Sequence, residues 1–140
     1  VLDVDAVIVT HIHLDHFDPA AMEIIPKDMK MFAQNEYEAN QMKEAGFTNV
    51  EVLKEEGTLF GDIKLIKTPA KHYSDASIVE LFRQLNTADE ACGVVFEHED
   101  EKTLYVMGDT VWYDELKDVF AKYAPECAIC RWKIFNNEQR

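Results

Sequence analysis

Three histidines and an aspartate within six consecutive positions constrain this chain more than any other feature. The segment HIHLDH at positions 11–16 directly follows DAVIVT at positions 5–10, an apolar run rich in β-branched residues. Such a run is typical of a buried strand, and side chains two positions apart point to the same side of an extended backbone. His11 and His13 are therefore expected to share one metal ion at the end of this strand.

The residues after this strand are predicted to turn into a short helix. Asp18 before Pro19 is typical of a helix N-cap followed by proline at the first helical position, and Pro26 ends the helix after Ile25. This turn lets Asp15 and His16 face a second metal beside the first. For a single histidine a structural role would be the better interpretation, but this group of four indicates metal binding.

Strands and helices alternate along the rest of the chain. Asn35, with Glu38 three residues later, indicates a capping-box start for a helix that runs to Ala45 before Gly46. Further helices are predicted after His72, from the helical spacing of apolar residues at 78–85, and at residues 116–123 before Pro125. Strands are predicted at residues 30–33, 50–53, 63–68 (ended by Pro69), 93–98, 103–107 and 127–130, the fourth and fifth forming a hairpin. The expected class is α/β with a mixed sheet, in one domain spanning residues 1–140.

Charge and hydropathy exclude several classes of protein. The net charge of -13, from 27 acidic and 14 basic residues, offers no basic stripe for a phosphate backbone, so we expect no nucleic-acid partner. No apolar run reaches about 18 residues, and Asp3 and Asp5 stand where a signal peptide would need basic residues. We therefore expect a soluble, cytoplasmic protein with no membrane partner.

The three cysteines are not predicted to form a functional site. Cys127 and Cys130 form a C-x-x-C, but the second cysteine or histidine pair of a zinc ribbon is missing. All three, including Cys92, lie in apolar runs that are typical of strand interiors. We therefore expect reduced thiols in the core.

The motifs together resemble the metallo-β-lactamase fold superfamily. HIHLDH matches its H-x-H-x-D-H pattern, TPAKH ending at His72 resembles its T-P-G-x-H segment with Ala70 in place of glycine, and GDT at positions 108–110 resembles its G-D-T loop. The adjoining VWY at positions 111–113 is similar to a bacterial branch close to the ascorbate-6-phosphate lactonase group. The resemblance covers nearly the whole chain and implies an αββα sandwich.

The resemblance also implies a ligand set for two metal ions. His11, His13 and His72 would hold the first ion, Asp15 and His16 the second, and Asp109 would bridge them. Imidazoles and carboxylates without a thiolate suit zinc, with manganese or iron as alternatives. His13, where the diiron oxidative branch tends to have glutamate, favours zinc and hydrolysis.

Two departures from the superfamily pattern bear on completeness. No histidine follows Asp109 in the 140 residues, although the superfamily places a final ligand of the second metal there, and the first motif begins almost at Val1. His98 matches no ligand position and is expected to be solvent-exposed. These departures favour a fragment that is incomplete at both ends, with residues 131–140 as a non-native tail. Unpaired strand edges in such a fragment would favour a homo-oligomer or a strand-swapped dimer.

The implied activity is hydrolysis of a lactone, ester or phosphoester by a metal-bound hydroxide, which Asp15 and Asp109 would help to hold. The partner would be a small-molecule substrate, and an anionic one could bind at the metal pair. Lys71 and Tyr73 are candidate anion contacts, and residues 74–91 are a candidate substrate-covering loop. Two alternatives stay open: a phosphodiesterase or nuclease, and a metal-binding domain with impaired or no catalysis.

Overall fold

The computed structural model describes residues 3–13, 16–71 and 90–131 of the 140-residue chain. In chain order, the described elements are β1 (Ala6–Val9), α1 (Pro19–Ile24), β2 (Lys30–Ala33), α2 (Glu36–Glu44), β3 (Val50–Val52), β4 (Thr58–Phe60), β5 (Ile63–Lys71), β6 (Glu90–Glu97), β7 (Leu104–Asp109), α3 (Glu115–Tyr123) and β8 (Cys127–Arg131). None of the described helices is long and apolar enough to cross a membrane. The helix predicted at residues 78–85 and most of the predicted substrate-covering loop lie outside the described residues, although Glu90 and Ala91 belong to β6.

The strands form two sheets, as the αββα sandwich implied by the resemblance requires, and one of the two is mixed. The first has the order β1-β2-β3 and is parallel. The second has the order β4-β5-β6-β7-β8, with antiparallel pairs except for the parallel pair of β7 and β8. Helices connect the parallel neighbours, as parallel pairing requires.

Side-chain alternation along the strands produces four layers. On β2, Met31 and Ala33 pack against the helices α1 and α2, whereas Phe32 between them packs against the second sheet. On β5, Leu65 faces the first sheet and Ile66 faces α3. The central strands β2 and β5 are therefore buried on both faces. The layers α1/α2, first sheet, second sheet and α3 confirm the αββα sandwich.

Local capping explains where the helices begin. Asp18 Oδ1 accepts a hydrogen bond from Ala21 N (2.6 Å), and Asn35 Oδ1 accepts one from Glu38 N (2.9 Å). These contacts satisfy amide groups that have no partner within the first helical turn. Gly46 follows α2 with a positive φ of 96°, as the predicted helix end requires. Both N-caps predicted from the sequence are confirmed.

Two strand predictions are wrong, and each has a physical reason. β5 continues through Pro69 to Lys71, because β4 pairs only with residues 63–65 and no other described strand pairs with that side of β5 at Pro69. A ring nitrogen without a hydrogen is tolerated at such an edge. β4 was not predicted, because three residues between glycines carry too short a pattern. Gly61, with a φ of 59°, begins the two-residue turn between β4 and β5.

The expectation of three core thiols is also wrong. Cys92 is buried between the sheets, whereas Cys127 and Cys130 are exposed on β8. Among the described strands β8 pairs only with β7, so it is an edge strand and its apolar sequence does not imply burial.

Candidate metal centre

His11 lies two residues beyond β1, at the carboxyl edge of the first sheet. Its side chain is fully buried, and Thr10 Oγ1 lies 3.3 Å from its Nδ1. The amide of Cys92 on β6 donates to the carbonyl of Thr10 (3.1 Å), so the second sheet holds the backbone that presents His11. A contact at one ring nitrogen orients an imidazole for ligation through the other.

A tight turn brings His13 and His16 next to His11. The amides of His16 and Phe17 both donate to the carbonyl of His13, at 2.9 and 2.8 Å. As a result, the ring centroid of His11 lies 4.5 Å from that of His13 and 4.1 Å from that of His16. Phe17, which is 2% exposed, packs in the core beneath the turn.

Asp109 reaches the same place from the second sheet. It is the last residue of β7 and only 2% exposed. Gly108 before it has a φ of 71°, and the pairing of β7 with β8 is irregular between Val106 and Asp109. Such an irregularity redirects the side chain that follows it. Asp109 Oδ2 lies 3.6 Å from His16 Nε2.

The donor atoms are arranged closely enough for one metal ion. One atom each from His11, His16 and Asp109 lies within 4.8 Å of the other two. Bonds of about 2.0–2.2 Å place the ligands of one ion at most about 4.4 Å apart, so a small inward movement of the side chains completes the site. Two imidazoles and a carboxylate also match the donor preference of zinc. These residues therefore fit a divalent metal ion.

The structure describes four of the six predicted ligands. It brings His11, His16 and Asp109 into one donor group and places the His13 ring against that of His11. Asp15 and His72 lie outside the described residues, so their ligand roles and the catalytic role of Asp15 stay predictions.

Thr110 is a site residue that the sequence analysis missed. Its Oγ1 accepts a hydrogen bond from the amide of Lys71 (3.0 Å), and the carbonyl of Lys71 accepts one from Val111 N (2.8 Å). These bonds join the end of β5, directly before His72, to the loop directly after Asp109. The available signal was a threonine next to a predicted ligand at a strand end.

The side chain of Lys71 has partners in the protein. Its Nζ lies 3.2 Å from Glu115 Oε1 and 4.5 Å from the centre of the Tyr113 ring. Burial raises the pKa of Tyr113 to about 12, and its hydroxyl donates to the carbonyl of Pro69 (2.7 Å). A backbone hydrogen bond and the one from Lys71 lower the pKa of Glu115. These contacts give the Lys71 side chain partners within the protein, and its role as an anion contact stays a prediction. Tyr73 lies outside the described part of the chain.

His98 lies in the turn after β6, away from the donor group. Its Nδ1 accepts a hydrogen bond from Asp100 N (3.1 Å). The side chain is half-buried, whereas the sequence predicted it to be solvent-exposed. His98 therefore serves as a control histidine for tests of the metal centre.

Comparisons with known proteins agree with this fold. A family model described as "Beta-lactamase superfamily domain" matches residues 1–136. The UPF0173 protein YddR of Bacillus subtilis (strain 168) is 48% identical over 126 residues, which are 90% of this chain and 47% of that protein. The isothiocyanate hydrolase from Delia radicum gut bacteria superposes with a TM-score of 0.81 and 40% identity, over 91% of this chain and 48% of its own. A possible metal-dependent hydrolase from Veillonella parvula DSM 2008 superposes with a TM-score of 0.79 and 36% identity, over 89% of this chain and 47% of its own.

The two-sheet sandwich with a histidine-aspartate centre at its edge defines the class of protein. This chain belongs to the beta-lactamase superfamily domain family. It spans about half the length of the relatives that it matches.

Proposed function

We propose that this chain is the metal-binding part of a metal-dependent hydrolase. The observation that carries the proposal is the convergence of His11, His16 and Asp109, which come from the carboxyl ends of strands in two different sheets. Buried carboxylates and imidazoles are paired, hydrogen-bonded or bound to a metal ion, and this donor set is one that a divalent cation prefers. The names of the matched relatives support hydrolysis as the reaction that such a cation would serve.

The proposed centre holds two metal ions. His11, His13 and His72 would bind the first, and Asp15 and His16 the second, with Asp109 between them. When bound, zinc supplies activated water by lowering the pKa of that water to roughly 7. The protein's own contribution is the orientation of the donors, because Thr10, Cys92 and Thr110 fix the backbone on either side of them.

We propose a small molecule with an electrophilic carbon or phosphorus as the substrate. An isothiocyanate is the first class to test, because the isothiocyanate hydrolase is 40% identical to this chain. Lactones, esters and phosphoesters are the other classes that activated water at such a centre would attack. Bound metal ions would make the site locally positive within an acidic protein, which also suits an anionic substrate.

Metal binding and hydrolysis can be tested together on the 140-residue chain. Zinc affinity would be measured by competition with a chelating dye, and turnover with an isothiocyanate, a lactone and an activated phosphodiester. We expect His11→Ala and Asp109→Ala to weaken zinc binding by more than about 100-fold, since loss of a mere supporting residue costs about 10–100-fold. His98→Ala is the matched control and should bind zinc like the original chain.

The outcomes separate the proposal from its alternatives. Equal zinc affinity in all three variants would refute the metal centre. Tight zinc binding without turnover of any substrate would identify a metal-binding domain with impaired catalysis. Turnover of the phosphodiester alone would favour the phosphodiesterase alternative.

A further inference from the structure

Glu38 on α2 is a buried acidic residue whose carboxylate contacts residues 11–13, which we call the metal-binding loop. Its side chain is 0% exposed. Glutamate is almost never fully buried unless its charge is paired or hydrogen-bonded. Oε1 of Glu38 accepts hydrogen bonds from Gln34 Nε2 (2.8 Å) and from the amide of Ile12 (3.3 Å).

The hydrogen bond from Ile12 to Glu38 bears on the metal centre because of where Ile12 lies in the sequence. Ile12 stands between His11 and His13, so its amide belongs to the backbone that carries both imidazoles. On the other side of His11, the carbonyl of Thr10 is held by the amide of Cys92. The loop is thus fixed at two points that flank His11, one from the second sheet and one from α2.

The same network includes a cation from the second sheet. Lys67 Nζ on β5 donates to the carbonyl of Gln34 (2.9 Å). Lys67 and Glu38 also act in opposite directions on the pKa of the Cys92 thiol, which places both charges near the interior between the sheets. The network therefore connects α2, β5 and the metal-binding loop.

We propose that Glu38 is a positioning residue of the metal centre, which fixes the backbone between His11 and His13 through its hydrogen bond to Ile12. This inference rests on the proposed function. A fixed loop holds both imidazoles in their ligating orientation before metal binds, so the protein does not have to order them when the ion arrives. Supporting residues of this kind typically change metal affinity by about 10–100-fold.

The N-cap of α2 does not use the carboxylate of Glu38. The cap is the bond from the amide of Glu38 to Asn35 Oδ1 (2.9 Å), which involves only the backbone of Glu38. Replacing the side chain leaves that donor in place. Changes in metal binding can therefore be assigned to the carboxylate rather than to loss of the N-cap.

Three variants of Glu38 test the proposal. Glu38→Met removes the acceptor at similar volume, Glu38→Asp keeps the charge but withdraws it from Ile12, and Glu38→Gln retains an oxygen acceptor. Zinc affinity and the visible absorption spectrum of the cobalt-substituted chain are measured, the latter because it reports ligand geometry. We expect Glu38→Met and Glu38→Asp to bind zinc about 10–100-fold more weakly and to show an altered cobalt spectrum. Glu38→Gln should bind zinc like the original chain and show its spectrum.

Met42→Ala is the matched control for a merely structural role. Met42 lies one turn further along α2 and is also 0% exposed, but it packs in the core beneath the helix. It should lower the midpoint of urea unfolding of the metal-free chain without changing zinc affinity or the cobalt spectrum.

The results distinguish this inference from the proposed function. If Glu38→Asp is folded and binds zinc like the original chain with an unchanged spectrum, the positioning role is refuted, even if Glu38→Met fails to fold. The role is equally refuted if Met42→Ala weakens zinc binding as much as the Glu38 variants do. If the original chain itself does not bind zinc, the proposed function fails, and the positioning role fails with it.

Discussion

The hydroxyl group of Thr110 joins two strand ends that carry predicted metal ligands. It accepts a hydrogen bond from the amide of Lys71 and also lies 3.3 Å from the carbonyl of that residue. Thr110 is 7% exposed, so water can replace these contacts only poorly. The position of Asp109 relative to Lys71 therefore depends on this side chain.

We predict that Thr110→Val weakens zinc binding and lowers stability. An amide without its acceptor in a largely buried position costs about 1–3 kcal/mol, and the same change loosens the loop next to Asp109. Thr110→Ser keeps the hydroxyl and should behave like the original chain. Urea unfolding of the metal-free chain and zinc competition would measure the two effects. Equal behaviour of the valine and serine variants would contradict the prediction.

Cys92 differs from the other two thiols in its environment. Burial raises the pKa of Cys92 from 9.0 to about 12, with a smaller opposing effect from Lys67 and a smaller raising effect from Glu38. Thiolates rather than thiols react with alkylating reagents. Cys127 and Cys130 are exposed on β8.

We therefore predict that iodoacetamide at about pH 8 modifies Cys127 and Cys130 but leaves Cys92 unmodified until the chain unfolds. Peptide mass spectrometry would identify the modified sites. Because the folded chain keeps the Cys92 proton between pH 9.0 and about 12 while the unfolded chain loses it, stability should fall as the pH rises through this window. Alkylation of Cys92 at the rate of the exposed thiols would overturn the prediction.

At the scale of elements, the end of β7 depends on close contact with β6. Gly108 has a φ of 71°, and a Cβ atom at this position would collide with the carbonyl oxygen of Cys92. Gly61 in the turn between β4 and β5 also has a positive φ, of 59°, but a Cβ there would meet no atom within 4 Å. The two glycines thus share backbone conformation and differ in packing.

We predict that Gly108→Ala destabilises the chain more than Gly61→Ala does. The left-handed conformation alone costs alanine about 1–2 kcal/mol, which is the expected effect at Gly61. Gly108→Ala adds the collision, so β7 must move away from β6 and Asp109 must move with it. Its zinc affinity should fall, whereas that of Gly61→Ala should not. Urea unfolding and zinc competition test both parts, and equal effects of the two variants would contradict the packing argument.

At the scale of the whole molecule, β8 is an open edge of the second sheet. Among the described strands it pairs only with β7, and Ile129 on it is 59% exposed. Exposed apolar edge strands invite pairing with another chain. Within the described residues, β8 is thus exposed both on its faces and along its outer edge.

We predict concentration-dependent self-association of the 140-residue chain through β8. Ile129→Lys should reduce it, since a charged side chain on an edge strand opposes pairing. Lys64→Met, at a surface position on β5 away from this edge, should leave self-association unchanged. Sedimentation velocity over a range of concentrations would measure the effect, and a monomer at every concentration would refute the prediction.

Much of the fold was predictable because local patterns agree with the tertiary structure. The caps at Asp18 and Asn35, the β-branched strand before His11 and the amphipathic face of Leu116 and Val119 all act within a few residues. The predictions were wrong where residues distant in the sequence determine the local structure. Pro69 stays in β5 because β4 ends before reaching it, and Cys127 is exposed because no described strand covers the outer edge of β8.

The sequence by itself determined the chemistry of the candidate site. His11, His13 and His16 lie in one short segment, so their identity as candidate donors follows from residue type and spacing, whereas that of Asp109 follows from the resemblance of its loop to a superfamily motif. Only the tertiary structure decided how these residues meet. The contacts of Glu38 with Ile12, of Cys92 with Thr10 and of Thr110 with Lys71 join positions 26, 82 and 39 residues apart. No local pattern encodes such pairs, because they exist only when two sheets and a helix pack together.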